Sequence, residues 1–94
     1  MKVRFTLEAL THIAGINLYI ESRSPEAASR ITARIFAEAD RIGEFPQIGH
    51  SGTVAGTYEW TVTNLPYVIV YEMDFDKNPV VVIGVFHGAQ SRRG

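Results

Sequence analysis

Apolar residues along this chain recur first at the period of a helix and then at the period of a strand. Over Met1–Thr6, Val3 and Phe5 alternate with Lys2 and Arg4, which predicts a short half-buried strand. Thr6 can then cap a helix, with Glu8 in its first turn where the positive end of the dipole favours an acid. Leu10, Ile13, Ile16 (or Asn17) and Ile20 follow at steps of three and four, and Leu7, Ala14 and Leu18 widen the stripe. The spacing predicts a core-facing helix running to about Arg23. Ser24-Pro25-Glu26 is a second start signal: a capping serine, a proline in the first turn, an acid just after. Ala28, Ile31, Ile35, Ala39 and Ile42 then lie on one helical face, Gly43 is the expected stop, and Pro46 forbids resumption. The turn near Ser22–Ser24 is so short that the two helices must form an antiparallel hairpin.

The second half changes period. Glu44–Gly56 holds three glycines and a proline after its first residue and reads as a loop. Over Thr57–Thr63, Tyr58, Trp60 and Val62 alternate with Glu59, Thr61 and Thr63, a half-buried strand. Asn64-Leu65-Pro66 turns into a strand over Tyr67–Met73, and a polar loop, Asp74–Pro79, leads to the last one. Val80–Phe86 is rich in β-branched residues and too short to span a membrane, so it predicts a strand buried on both faces in the middle of a sheet. A charge at Val82 or Val85 should unfold the domain. The expected class is α+β: an N-terminal strand, an antiparallel helical hairpin, then a three-stranded antiparallel meander packed on the hairpin.

Composition narrows the function. The 94 residues predict one domain spanning 1–94, with 46% hydrophobic and 20% charged residues, as in a globular protein. No cysteine is present, so neither disulfides nor thiolate metal sites are expected, and no cofactor is implied. The apolar stretch Ile13–Ile20 follows two cations, but Glu8, His12 and Asn17 interrupt it and no cleavage site follows; a cytoplasmic protein without a membrane segment is the expectation. The net charge of −1 lacks the basic excess of a protein that grips nucleic-acid backbone. Arg30, Arg34 and Arg41 form a stripe on the second helix. Glu26 lies four before Arg30, and Glu38 lies four after Arg34 and three before Arg41, so a salt-bridged surface is expected there.

Several strings, in order, resemble the RelE/ParE toxin superfamily of type II toxin–antitoxin systems. They are Ser24-Pro25-Glu26-Ala27-Ala28, Phe45-Pro46-Gln47-Ile48-Gly49-His50, Gly56-Thr57-Tyr58-Glu59, Pro66-Tyr67-Val68-Ile69-Val70-Tyr71-Glu72 and Val85-Phe86-His87. They span nearly the whole chain and look closest to the ParE-like branch. The resemblance implies a growth-arresting toxin of a plasmid stabilisation or addiction module. It would form a hetero-oligomer with a cognate antitoxin that covers the hairpin and sheet. ParE-like members act on DNA gyrase; RelE-like members cut mRNA in the ribosome. One departure is His50, where a ParE-like loop often carries arginine.

The residues discriminate between those activities. A nuclease needs a base, an acid and cations for the phosphate charge, for which His87, Glu59 and Arg92 (or Arg93) are the candidates. The RelE-like branch, however, relies on a cluster of lysines and arginines, and Gly43–Asp76 contains none. His87, Gln90, Arg92 and Arg93, with Tyr58 and Trp60, therefore read as contacts for the target or antitoxin rather than as a catalytic set. The other reading of His87 is a strand-end residue bonded to a neighbouring loop. His12 and His50 read as structural, the aromatic rings of the meander as core or partner contacts before base-stacking groups. Loop glycines without a following lysine make no phosphate loop, and Ser24 and Ser51 lack ordered partners for hydrolase chemistry.

Overall fold

The computed structural model describes residues 3–73 and 80–88. In chain order the elements are β1 (Val3–Phe5), α1 (Leu7–Glu21), α2 (Pro25–Glu44), a 3-10 turn (Pro46–Ile48), β2 (His50–Ser51), β3 (Thr57–Thr61), β4 (Tyr67–Glu72) and β5 (Val80–His87). They form one five-stranded sheet of order β1-β5-β4-β3-β2. β1 pairs parallel with β5, and every other neighbour is antiparallel. The α+β class, the hairpin and the β3–β4–β5 meander are as expected, and β1 closes the sheet against β5.

Both helices start where their caps predict. The Thr6 hydroxyl accepts from the Ala9 amide at 3.1 Å, and the Ser24 hydroxyl accepts from the Ala27 amide at 3.2 Å. Asn17 ties the hairpin together by donating from Nδ2 to the Thr32 hydroxyl at 2.9 Å. On α2 the buried line is Ala28, Ile35, Ala39 and Ile42, with Ile31 half-buried. Gly43 does not stop this helix. It is buried inside the last turn, the helix runs to Glu44, and the ring of Pro46 ends it because no further amide can be donated there.

The inward face of α1 is displaced from the expected one. Ala9 and Ile13 are buried and Ile16 and Ile20 half-buried, whereas Leu7, Leu10, Ala14 and Leu18 are exposed. At about 100° per residue the exposed row lies roughly 130° round the helix from the buried one. Residue hydrophobicity alone could not separate two apolar rows on the same helix.

Three corrections concern the sheet. The Glu44–Gly56 stretch is not all loop: it holds the 3-10 turn and β2, whose His50 and Ser51 pair with Glu59 and Tyr58. The middle strand is β4, whose residues from Tyr67 to Tyr71 are all buried; β5 is interior but one place off centre. The β5 run is also interrupted. Tyr71 pairs with Val82 while Val70 pairs with Gly84, so Ile83 is a bulged extra residue. The bulge turns Val82 and Val85, three apart, to the same helix-covered face, beside Tyr71 and Ile69. Burying each such side chain contributes about 1.5–3 kcal/mol.

Tyr71 fastens the β2 segment to this core. Its hydroxyl donates to the Pro46 carbonyl at 2.6 Å and accepts from the Gly49 amide at 3.1 Å. Gly49 must be glycine for this approach, since a Cβ there would sit 2.5 Å from the Tyr71 hydroxyl and 2.8 Å from the Glu59 carbonyl. At the opposite hairpin, Asn64 takes φ 65°, a left-handed turn conformation that asparagine tolerates better than most residues.

Candidate site at the open end of the last strand

β1 covers β5 only from Val80 to Val82. Beyond that point the edge of β5 is closed by groups from the start of α1. The Thr6 amide donates to the Val82 carbonyl at 3.0 Å, and its hydroxyl reaches the Ile83 carbonyl at 3.5 Å. Further along the helix, His12 Nδ1 accepts from the Val85 amide at 3.3 Å. A backbone amide can only donate, so the neutral imidazole here carries its proton on Nε2. The same ring lies 4.6 Å from that of Phe86.

This arrangement leaves a groove of about 990 Å³ between α1 and the ends of β4 and β5. His12, Ile16 and Tyr19 line it from the helix, Tyr67 and His87 from paired strands, and Phe86 beside them. Tyr67 and His87 meet edge to face at 6.0 Å. Burial, and then the neighbouring Tyr19, raise the Tyr67 phenol above its ordinary value. Thus the groove gathers two imidazoles and two phenols on an apolar floor, with no arginine, lysine or carboxylate lining it among the described residues. Such a lining suits contact with a neutral surface better than stabilisation of a phosphorane.

The candidate residues separate in space. His87 is exposed at the end of β5. Glu59 pairs with Val70, which pairs with Gly84, whereas His87 pairs with Tyr67. Val70 and Tyr67 are an odd number of positions apart on one regular strand, so Glu59 and His87 lie on opposite faces of the sheet. The fold does not bring them together. Tyr58 stacks on Tyr71 at 5.7 Å, and Trp60 Nε1 donates to Glu38 Oε1 at 2.8 Å. The first contact lies within the sheet, between β3 and β4, and the second joins β3 to α2. Gln90, Arg92 and Arg93 lie outside the described residues. His50 is exposed on β2, its Nδ1 3.1 Å from the Ser51 carbonyl.

Two expectations change. His12, read from the sequence as a structural helix residue, does hold β5, but it also lines the same groove as His87. Their wide separation along the chain hid that proximity. The expected salt-bridged stripe on α2 does not form among the described residues, and two of its members, Arg34 and Glu38, bond to the meander instead. Arg34 donates to the Thr63 carbonyl at 2.6 Å, and Glu38 accepts from Trp60. Among the described residues no cluster of metal-ligating side chains forms, and no helix is long and apolar enough to cross a membrane.

Comparison with known proteins agrees with the geometry. The solved chromosomal ParDE toxin–antitoxin system of P. aeruginosa contains a chain of the same fold, with a TM-score of 0.79 over 93% of this chain and 95% of that one, at 16% identity. The Y4kP protein of Sinorhizobium fredii is 36% identical over 89 residues, covering 95% of this chain and 90% of its own. Toxin RelE2 of Caulobacter vibrioides is 37% identical over 70 residues, 74% of this chain and 77% of its own. The model of the ParE toxin of type II toxin–antitoxin systems (parDE) matches residues 3–92, through every strand and both helices. With that match and a relative above one-third identity along almost its whole length, the chain belongs to the ParE toxin family of the RelE/ParE superfamily.

Proposed function

We propose that this ParE-family toxin arrests growth by binding DNA gyrase in the cytoplasm, without itself catalysing a reaction, and that a cognate antitoxin neutralises it within a stabilisation module. The observation that carries the proposal is the pairing of a ring-lined groove that holds no lysine, arginine or carboxylate among the described residues with meander strands free of lysine and arginine. No lysine or arginine occurs from Gly43 to Asp76, and Glu59 faces away from His87. A phosphoryl-transfer site needs cationic groups around the developing charge. A protein-binding site needs apolar and aromatic anchors, which the groove has. Purified toxin should inhibit gyrase supercoiling, or trap cleaved DNA, at micromolar concentration. No effect there would overturn the gyrase reading.

One observation favours a second reading, a ribosome-dependent mRNA endonuclease. His12 and His87 share the groove, and imidazoles are the acid–base groups suited to neutral pH. In that case His87→Ala abolishes transcript cleavage in a translating extract while leaving the thermal melt intact. Normal growth on induction without antitoxin would instead indicate a degenerate, non-toxic module.

A further inference from the structure

Past Val82 the outer edge of β5 takes three bonds from the cap and second turn of α1, and one of them depends on protons. Thr6 supplies two, from its amide to the Val82 carbonyl and from its hydroxyl to the Ile83 carbonyl. Neither group titrates. The third is the Val85 amide donating to His12 Nδ1 at 3.3 Å. The imidazole also touches the residues on either side of Val85. Its ring is 4.6 Å from the Phe86 ring. A Cβ on Gly84 would lie 3.3 Å from His12 Nδ1 and 2.5 Å from Phe86 Cε2, so glycine leaves the two rings room to close over the strand. His87 follows, meeting Tyr67 edge to face across the strand pair. One imidazole therefore sets the strand end that forms a wall of the groove.

Protonation reverses the role of that nitrogen. Neutral His12 carries its hydrogen on Nε2 and offers a lone pair at Nδ1, whereas an imidazolium carries hydrogen on both. Two N–H groups would then face each other at hydrogen-bond distance, and the amide of buried Val85 would lose its acceptor. The surroundings permit the change. On α1, Glu8 stands one turn before His12, a carboxylate of the sign that pairs with an imidazolium, and Tyr19 stands two turns after. β4 and β5 contribute Tyr67 and His87, and α2 and β1 line none of the groove. The phenols are uncharged at neutral and acid pH, and burial pushes that of Tyr67 higher still. Arg23, the cation just past α1, lies over the Tyr19 ring at 4.8 Å.

We propose that His12 is a proton-controlled positioning residue of the groove. Neutral, it holds the Val85 amide and so fixes Phe86 and His87 in the arrangement that the target meets. Protonated, it turns away from the amide, its ring and that of Phe86 re-pack, and the groove wall loses its shape. The inference rests on the reading of this groove as the target-binding surface. The release is local. β5 stays paired with β4 from Val81 to His87, and the bond to His12 closes only the edge that β1 leaves open after Val82. An asparagine at position 12 would offer the same amide an acceptor at every pH; imidazole is the acceptor that a proton removes.

The test follows the isotope-labelled full chain by NMR between about pH 8 and pH 5, the range in which imidazoles titrate. At the high end the His12 ring nitrogens report the Nε2–H form. As the ring takes its second proton, the Val85 amide and the Phe86 ring shift along the same curve. Exchange of the Val85 amide, corrected for its intrinsic pH dependence, quickens at least about tenfold. Binding to purified gyrase weakens at least about tenfold over that range, because fewer than about one molecule in ten then keeps the competent groove. His12→Asn places an amide oxygen where Nδ1 stands and cannot titrate, so its binding, whatever its strength, loses that slope. An equal slope in His12→Asn assigns the pH response to His87 or to gyrase and overturns the proposal. So does a Val85 amide that stays unmoved through the His12 titration, or cooperative unfolding over the same range seen by circular dichroism. If neither chain binds gyrase at any pH, the function proposed above fails, and the Val85 amide alone decides whether His12 positions the groove.

Discussion

At the scale of single residues, two side chains hold the sheet in ways that no local pattern announces. Tyr71 is wholly buried yet fully bonded, donating to Pro46 and accepting from Gly49. Tyr71→Phe leaves both backbone groups without that partner and should cost about 1–3 kcal/mol in a denaturant titration. Amide exchange should quicken at Gly49, where the bond is lost. Burial raises the Tyr71 phenol above its ordinary value; the Gly49 amide partly offsets this, and Tyr58 adds to it. Because the folded pKa lies above the unfolded one, its stabilisation is complete below about pH 10 and is lost as pH rises through the folded value. Alkaline unfolding should therefore be less steep in Tyr71→Phe than in the unsubstituted chain. His12 has a comparable role at the other end of the sheet. His12→Ala orphans the Val85 amide and should destabilise the fold by about 1–3 kcal/mol, with the largest chemical-shift change at Val85.

Among the elements, the helices separate what propensity governs from what packing governs. Gly15 has open space for a methyl group, so Gly15→Ala should raise stability by about 1 kcal/mol, seen as a higher melting temperature of the free chain. The caps behave in the opposite sense. Ser24→Ala removes the acceptor for the Ala27 amide and should cost about 1 kcal/mol. Both ends of both helices were nearly legible from Thr6, Ser24-Pro25 and Pro46, because caps and proline act through bonds within one turn of the chain. The inward face of α1 was not. Its two apolar rows differ only in what lies opposite them, which depends on sheet residues far along the chain such as Val82 and Val85.

For the whole molecule, the sheet is the part that does not tolerate insult. Val82→Asp or Val85→Asp places an unpaired carboxylate in the interface between β5 and the hairpin and should abolish cooperative unfolding, measured by circular dichroism. His87→Ala, at an exposed strand end, should leave the fold intact and change only target-directed activity. Together the two outcomes distinguish the buried body of β5 from its polar end. That body was legible as an apolar run. Its bulge at Ile83 was not, since the run gives no sign of where the period of two breaks.

What the sequence determined by itself is what short-range chemistry dictates: two capped helices, their antiparallel connection, and three successive strands that carry no lysine or arginine. Those features follow from backbone bonds and residue period over a few positions. The ordered strings also carried the family resemblance, because they sit in the elements that build the sheet and hairpin. Only the tertiary structure decided which residues meet. It put His12 and His87 on one groove, turned Glu59 to the far face, made β4 rather than β5 the middle strand, and left the leucines of α1 uncovered. The reason is physical: strand register, a single bulge and the rotation of a helix about its axis are fixed by packing across the whole chain, and none is written in the residues that it moves.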